Sequence, residues 1–83
     1  VSQILIRFDP EADALYVVFA DRQPGDVART EEIGDGRQVD YDAGGALLGV
    51  EFRGVSQGVN LADVPRADEV SAALKAFPTL TAA

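Results

Sequence analysis

The sequence predicts an α+β domain, a five-stranded antiparallel meander sheet with one C-terminal helix packed on one face. Three observations predict it. From Gln3 to Val55, apolar residues recur with a period of two and are interrupted by Asp-Pro, Gly-Asp-Gly and Gly-Gly turns. Beyond Gly58 the period changes to about 3.6, and Ala67, Val70, Ala73, Leu74 and Phe77 fall on one helical stripe. The 83 residues make a single domain that buries only about 60 to 65 per cent of its unfolded surface, so oligomerisation is expected to supplement the core.

The first hairpin organises the rest. Asp9 and Asp13 flank Pro10, whose fixed φ suits the second position of a type I turn, and a four-residue loop from Pro10 to Asp13 closes on an Asp9/Ala14 pair. In that register Phe8 faces Leu15, Ile6 faces Val17 and Ile4 faces Phe19 on one apolar face, while Leu5, Arg7, Tyr16 and Val18 occupy the other. The first strand runs from about Gln3 to Phe8. The second, Ala14 to Phe19 or Ala20, is apolar on both sides and belongs inside the sheet. Asp21 to Asp26 reads as a loop.

The third strand, roughly Val27 to Ile33, has few large apolar side chains and reads as an edge protected by its charges. Gly34-Asp35-Gly36 supplies a tight hairpin, the fourth strand spans Arg37 to Tyr41, and Asp42-Ala43-Gly44-Gly45 turns the chain again. The fifth strand, Ala46 to Val55, sets Leu48, Val50 and Phe52 on one face. Pro65 in a first turn opens the helix, Asp68 and Glu69 sit near its positive end, and Pro78 closes it. The helix is expected on the Ile4/Ile6/Phe8 face. Residues 1–78 form the domain and 79–83 a flexible tail, and because the chain holds no methionine an initiator or a short segment is expected before Val1.

Composition removes most chemistry. With no cysteine and no histidine, the commonest general base, the thiol nucleophile and the usual transition-metal ligands are missing. Ser2, Ser56 and Ser71 have no histidine to activate them, and a Ser71/Lys75 pair reads as an exposed helix face. Gly34-x-Gly36 is no phosphate loop, since no helix start follows it. Carboxylate pairs such as Glu31/Glu32 or Asp9/Asp13 would need a deep cleft for acid-base work and read as solvated charges. No enzyme, no catalytic residue and no cofactor are expected.

The sharpest motif match is Asp40 to Glu51, which places Asp40, Asp42, Gly45 and Glu51 at positions one, three, six and twelve of an EF-hand calcium loop. The flanks read as strands, however, and a hairpin there puts Asp40 near Leu47 and Glu51 roughly 13 Å away. One ion could not reach both, so specific calcium binding is not expected.

The net charge is −7 and the seven cations are scattered along the chain, which opposes direct nucleic-acid binding and favours a basic partner. The same acidic balance serves solubility. No stretch approaches the roughly 20 apolar residues of a membrane span, so no membrane association is expected, and the lack of cysteine fits a cytoplasmic protein. The face opposite the helix keeps Leu5, Tyr16 and Val18, with Tyr41 or Leu47 beside them. Such a face calls for a homodimer or another partner, unless the sheet curls to cover itself.

Phe8-Asp9-Pro10-Glu11-Ala12-Asp13-Ala14-Leu15-Tyr16-Val17, then Val39-Asp40-Tyr41-Asp42 with Gly44 or Gly45, then Gly49-Val50-Glu51, resembles the small bacterial domain of unknown function 2283 family. The Asp63 to Val70 segment is similar to a C-terminal extension of some members. The resemblance covers roughly the first 60 residues and carries over no catalytic residue. It implies a small β-rich domain, and members encoded beside short genes resembling ribonuclease-type toxins imply an antitoxin-like or accessory role. The chain lacks an evident DNA-binding helix pair, which argues against an autorepressor.

The expectation is a non-catalytic interaction module, a homo-oligomer whose acidic surface at Asp9, Asp13, Glu31, Glu32, Asp40 and Asp42 covers a basic partner. The alternative is a small-ligand or weak metal-binding domain that uses the turn carboxylates, with a carboxylate hydrolase a distant third.

Overall fold

The computed structural model describes residues 4–20, 23 and 25–75. Strands β1 (Leu5–Asp9), β2 (Ala14–Val18), β3 (Arg29–Gly34), β4 (Arg37–Tyr41) and β5 (Leu47–Arg53) precede a single-turn 3-10 helix (Val55–Gln57) and helix α1 (Ala67–Leu74). Every neighbouring strand pair is antiparallel. The α+β class is as the sequence predicts, and so is the first hairpin, which pairs Phe8 with Leu15, Ile6 with Val17 and Asp9 with Ala14.

The strand order is β1-β2-β5-β4-β3, which corrects the unbroken meander: β5 stands next to β2, where a meander would put β3. The reason lies in what each strand can bury. β5 buries Leu48, Gly49, Val50 and Phe52 and suits a central place, whereas β3 exposes Arg29, Thr30, Glu31 and Glu32 and can only be an edge. Two local units, the β1–β2 hairpin and the β3–β4–β5 ribbon, therefore meet at the β2–β5 seam.

One face carries the core. Leu15, Val17, Phe19, Val39, Val50 and Phe52 from the sheet meet Val55, Val59 and Val64 from the following segment and Val70 and Leu74 from α1. Ile4 and Ile6 pack against this cluster and α1 lies against β1, so the helix covers the expected face. Phe8, at the hairpin end of that face, stays 39% exposed.

The helix begins later than Pro65 suggests. Pro65 belongs to a preceding turn, and Arg66 takes a left-handed conformation at φ 55°, its carbonyl accepting from the N–H of Glu69 and Val70. The Arg66 guanidinium stacks 4.9 Å from the Phe19 ring and pairs with the Glu69 carboxylate, fixing the helix start over the end of β2. That hydrogen bond raises the pKa of Arg66 and lowers that of Glu69. Among the described residues no helix is long and apolar enough to cross a membrane. Gln3, Asp21, Arg22, Phe77, Pro78 and the 79–83 tail lie outside the described residues.

Candidate interaction surface

The face away from α1 is built in cross-strand rows. One row runs Leu5, Val18, Gly49, Asp40 and Thr30, and the next runs Arg7, Tyr16, Glu51, Gln38 and Glu32. Tyr16 ties them together. Its ring reaches across Gly49, where an added Cβ would sit 2.5 Å from the phenolic oxygen and 2.6 Å from the Val17 carbonyl oxygen. Its hydroxyl donates to Asp40 Oδ2 at 2.7 Å, and Thr30 Oγ1 donates to Asp40 Oδ1 at 2.7 Å. A single half-buried carboxylate thus links β2, β4 and β3 over the backbone of β5.

Leu5 and Val18 lie in the row beside Tyr16, with Leu5 53% exposed. Tyr41 and Leu47, expected on the same face, pack against the core instead: Tyr41 alternates with Arg37 and Val39 on the core side of β4, and a register irregularity between Asp40 and Tyr41 pairs Leu47 with it. The Tyr41 ring is capped by the Arg29 guanidinium at 4.4 Å.

The six expected acidic residues do not form one patch. Asp9 and Asp13 sit at the β1–β2 turn and Asp42 at the β4–β5 turn, at opposite ends of the antiparallel sheet, and most of them have local work. Asp9 Oδ1 accepts from the N–H of Glu11 and Ala12, and Asp42 Oδ1 from those of Gly44 and Ala46, both as turn-forming carboxylates. Asp13 Oδ1 accepts from the Ser56 N–H at 2.9 Å and its Oδ2 from the Ser56 hydroxyl at 2.7 Å, while the Asp13 carbonyl accepts from Gly54 and Val55. Glu31 and Glu32 are exposed on β3.

Asp13 also holds φ 52°, a conformation aspartate tolerates better than alanine. Asp13→Ala is expected to cost about 1.5 kcal/mol through the lost Ser56 bonds and added strain. Asp13→Asn should keep most of that stability in urea denaturation, because it tolerates the same backbone and still accepts from the Ser56 N–H.

The calcium-loop match does not assemble. Asp40 pairs with Gly49, not near Leu47 as the sequence suggests, which leaves Glu51 two residues further along β5, or roughly 7 Å. Both Asp40 oxygens and Asp42 Oδ1 already accept hydrogen bonds. Among the described residues no three carboxylates gather as a metal site. A cavity of about 450 Å³ opens beside the β4–β5 turn against Ala20, Asp26, Leu47 and Leu48. Its carboxylates are Asp26, which accepts from the Gln23 N–H, and the turn-bound Asp42.

One structural residue went unnoticed in the sequence. Arg37 is 4% exposed and donates to four carbonyls, from Nε to Gly34 at 3.0 Å, from Nη2 to Ile33 at 3.2 Å, and from Nη1 to Asn60 at 3.2 Å and to Ala62. It fastens the 59–64 segment to the β3–β4 hairpin. The clue was available in the alternation, which places Arg37, Val39 and Tyr41 on the same, core-facing side of β4.

Neither the curated proteins nor the solved structures give a match to this chain. A family model described as protein of unknown function (DUF2283) matches residues 5–56, more than half of the chain. That span takes in all five strands, the Tyr16–Asp40–Thr30 network and the Asp13–Ser56 anchor, but not α1. On that match the chain belongs to the DUF2283 family.

Proposed function

We propose that the chain is a non-catalytic interaction module that takes a basic protein partner, in an antitoxin-like or accessory role. The observation that supports this best is the one-sided cover of the sheet: α1 and the Val55, Val59 and Val64 segment bury one face, and Leu5, Tyr16 and Val18 stand on the other. Tyr16 makes a rigid anchor there, because Gly49 supports its ring and Asp40 holds its hydroxyl, so little side-chain freedom is lost on contact. The net charge of −7, with Glu31 and Glu32 exposed on β3 at the far edge of the sheet, suits a cationic surface.

The test is co-expression with the product of the adjacent gene, followed by sizing with light scattering at low and high salt. A heteromeric complex at low salt that dissociates at high salt is expected, and the Glu31→Lys/Glu32→Lys double variant should weaken it about tenfold. The absence of any complex at low salt would refute the reading.

A further inference from the structure

The two edges of the sheet are built differently. β3 presents Arg29, Glu31 and Glu32 and carries a register irregularity between Glu32 and Gly34, both of which discourage a further strand. β1 is less defended: it too exposes charges, Arg7 and Asp9, but it has no register irregularity. Its sequence, Leu-Ile-Arg-Phe-Asp, runs in unbroken register with β2, and among the described residues no strand lies on its other side. The exposed large apolar side chains of the described residues, Leu5 at 53% and Phe8 at 39%, both belong to β1 and point to opposite faces. What they share is the strand edge.

The backbone polarity of that edge follows from one hydrogen bond. The Phe19 N–H donates to the Leu48 carbonyl at 2.9 Å, continuing the β2–β5 register, so Leu15, Val17 and Phe19 direct their backbone groups at β5. Ala14, Tyr16 and Val18 then direct theirs at β1, where they meet Leu5, Arg7 and Asp9. By the same alternation, Ile4, Ile6 and Phe8 aim their N–H and C=O groups out of the sheet. These are also the residues whose side chains line the helix-covered face.

We propose that β1 is the seam of a homodimer in which two copies pair antiparallel across a twofold axis at Ile6, joining the sheets edge to edge. The side chains complement themselves in this register. Ile6 meets the partner's Ile6, Phe8 meets the partner's Ile4 on the helix-covered face, and Leu5 lies along the aliphatic stem of the partner's Arg7 on the other. No like charges face each other. A register centred on Arg7 instead opposes two guanidinium groups and sets Leu5 against the partner's Asp9.

The register makes a prediction about charge sign. Leu5 is exposed, so neither Leu5→Lys nor Leu5→Glu should prevent folding, which far-UV circular dichroism checks. Lysine at this position faces the partner's Arg7 twice, and glutamate pairs with it twice. Sedimentation equilibrium of the chain alone, at low salt and over a wide concentration range, is expected to show a dimer for the natural sequence. Leu5→Glu should still dimerise, and Leu5→Lys should dimerise at least tenfold more weakly. A natural chain that stays monomeric, a dimer insensitive to Leu5→Lys, or equal weakening by both charges would each overturn the proposal. Because no second protein is present, the result is independent of whether a basic partner binds.

Discussion

Arg37→Met is expected to destabilise the fold by about 3 kcal/mol, the largest effect of any single substitution considered, although methionine nearly matches the volume it replaces. The guanidinium serves the carbonyls of Ile33, Gly34, Asn60 and Ala62, and methionine can donate to none of them. Each carbonyl left dry inside the protein costs about 1 to 3 kcal/mol, partly offset because a buried cation no longer needs to be desolvated. The nearest acid, Asp35 at 3.8 Å, is mostly solvent-exposed, so this is a matter of hydrogen-bond geometry more than of ion pairing. Arg37→Lys should therefore recover only a minor part of the loss, because a point charge cannot serve carbonyls spread around a planar fork. Urea denaturation of the three proteins decides it. A loss below about 1 kcal/mol for Arg37→Met would mean that water replaces the guanidinium without difficulty.

Gly49→Ala is expected to cost about 2 to 3 kcal/mol, far more than a methyl group on a strand would ordinarily change. The added Cβ meets both the Tyr16 ring end and the Val17 carbonyl oxygen. The phenol can swing away, giving up its hydrogen bond to Asp40, but the Val17 backbone can move only by disturbing the β2–β5 pairing. Removing the ring should thus rescue part of the loss and no more. Gly49→Ala made in a Tyr16→Ser background is expected to cost about half as much as in the natural chain, still well above zero. Thermal denaturation of the four proteins of that cycle measures the coupling, and purely additive effects would show that ring and glycine are independent.

The parts of this fold that the sequence discloses are those decided locally. Asp9, Pro10 and Asp13 specify the first turn, and the alternation on either side then leaves one register that keeps Ile6, Phe8, Leu15 and Val17 together. The edge position of β3 could be read from its charges, and the helix from its change of period. The place of β5 could not, because β2 and β5 are brought together by competition among strands for the buried positions, a property of the whole chain. The irregularity between Asp40 and Tyr41 has the same character: it pairs Tyr41 with Leu47 and so turns Leu47 toward the core, and no turn residue announces it. The carboxylates of the surface were recognisable one by one as turn formers. Their dispersal to opposite ends of the sheet follows from the alternating direction of the strands, which already separates the first turn from the fourth in the predicted antiparallel sheet.

The seam between β2 and β5 also has a meaning for how the chain assembles. Each of the two pieces it joins closes through short loops, whereas pairing Ala14 with Arg53 and Val18 with Gly49 must gather residues remote along the chain. Loop-closure entropy falls mainly on that single docking event, which makes it the natural bottleneck of folding. Until docking occurs, Val17 and Val50 are both unburied, and the hairpin bearing β1 is a free two-stranded ribbon with two open sides instead of one. The slowest moment of assembly is therefore also the one at which the chain offers the most strand edge to its neighbours.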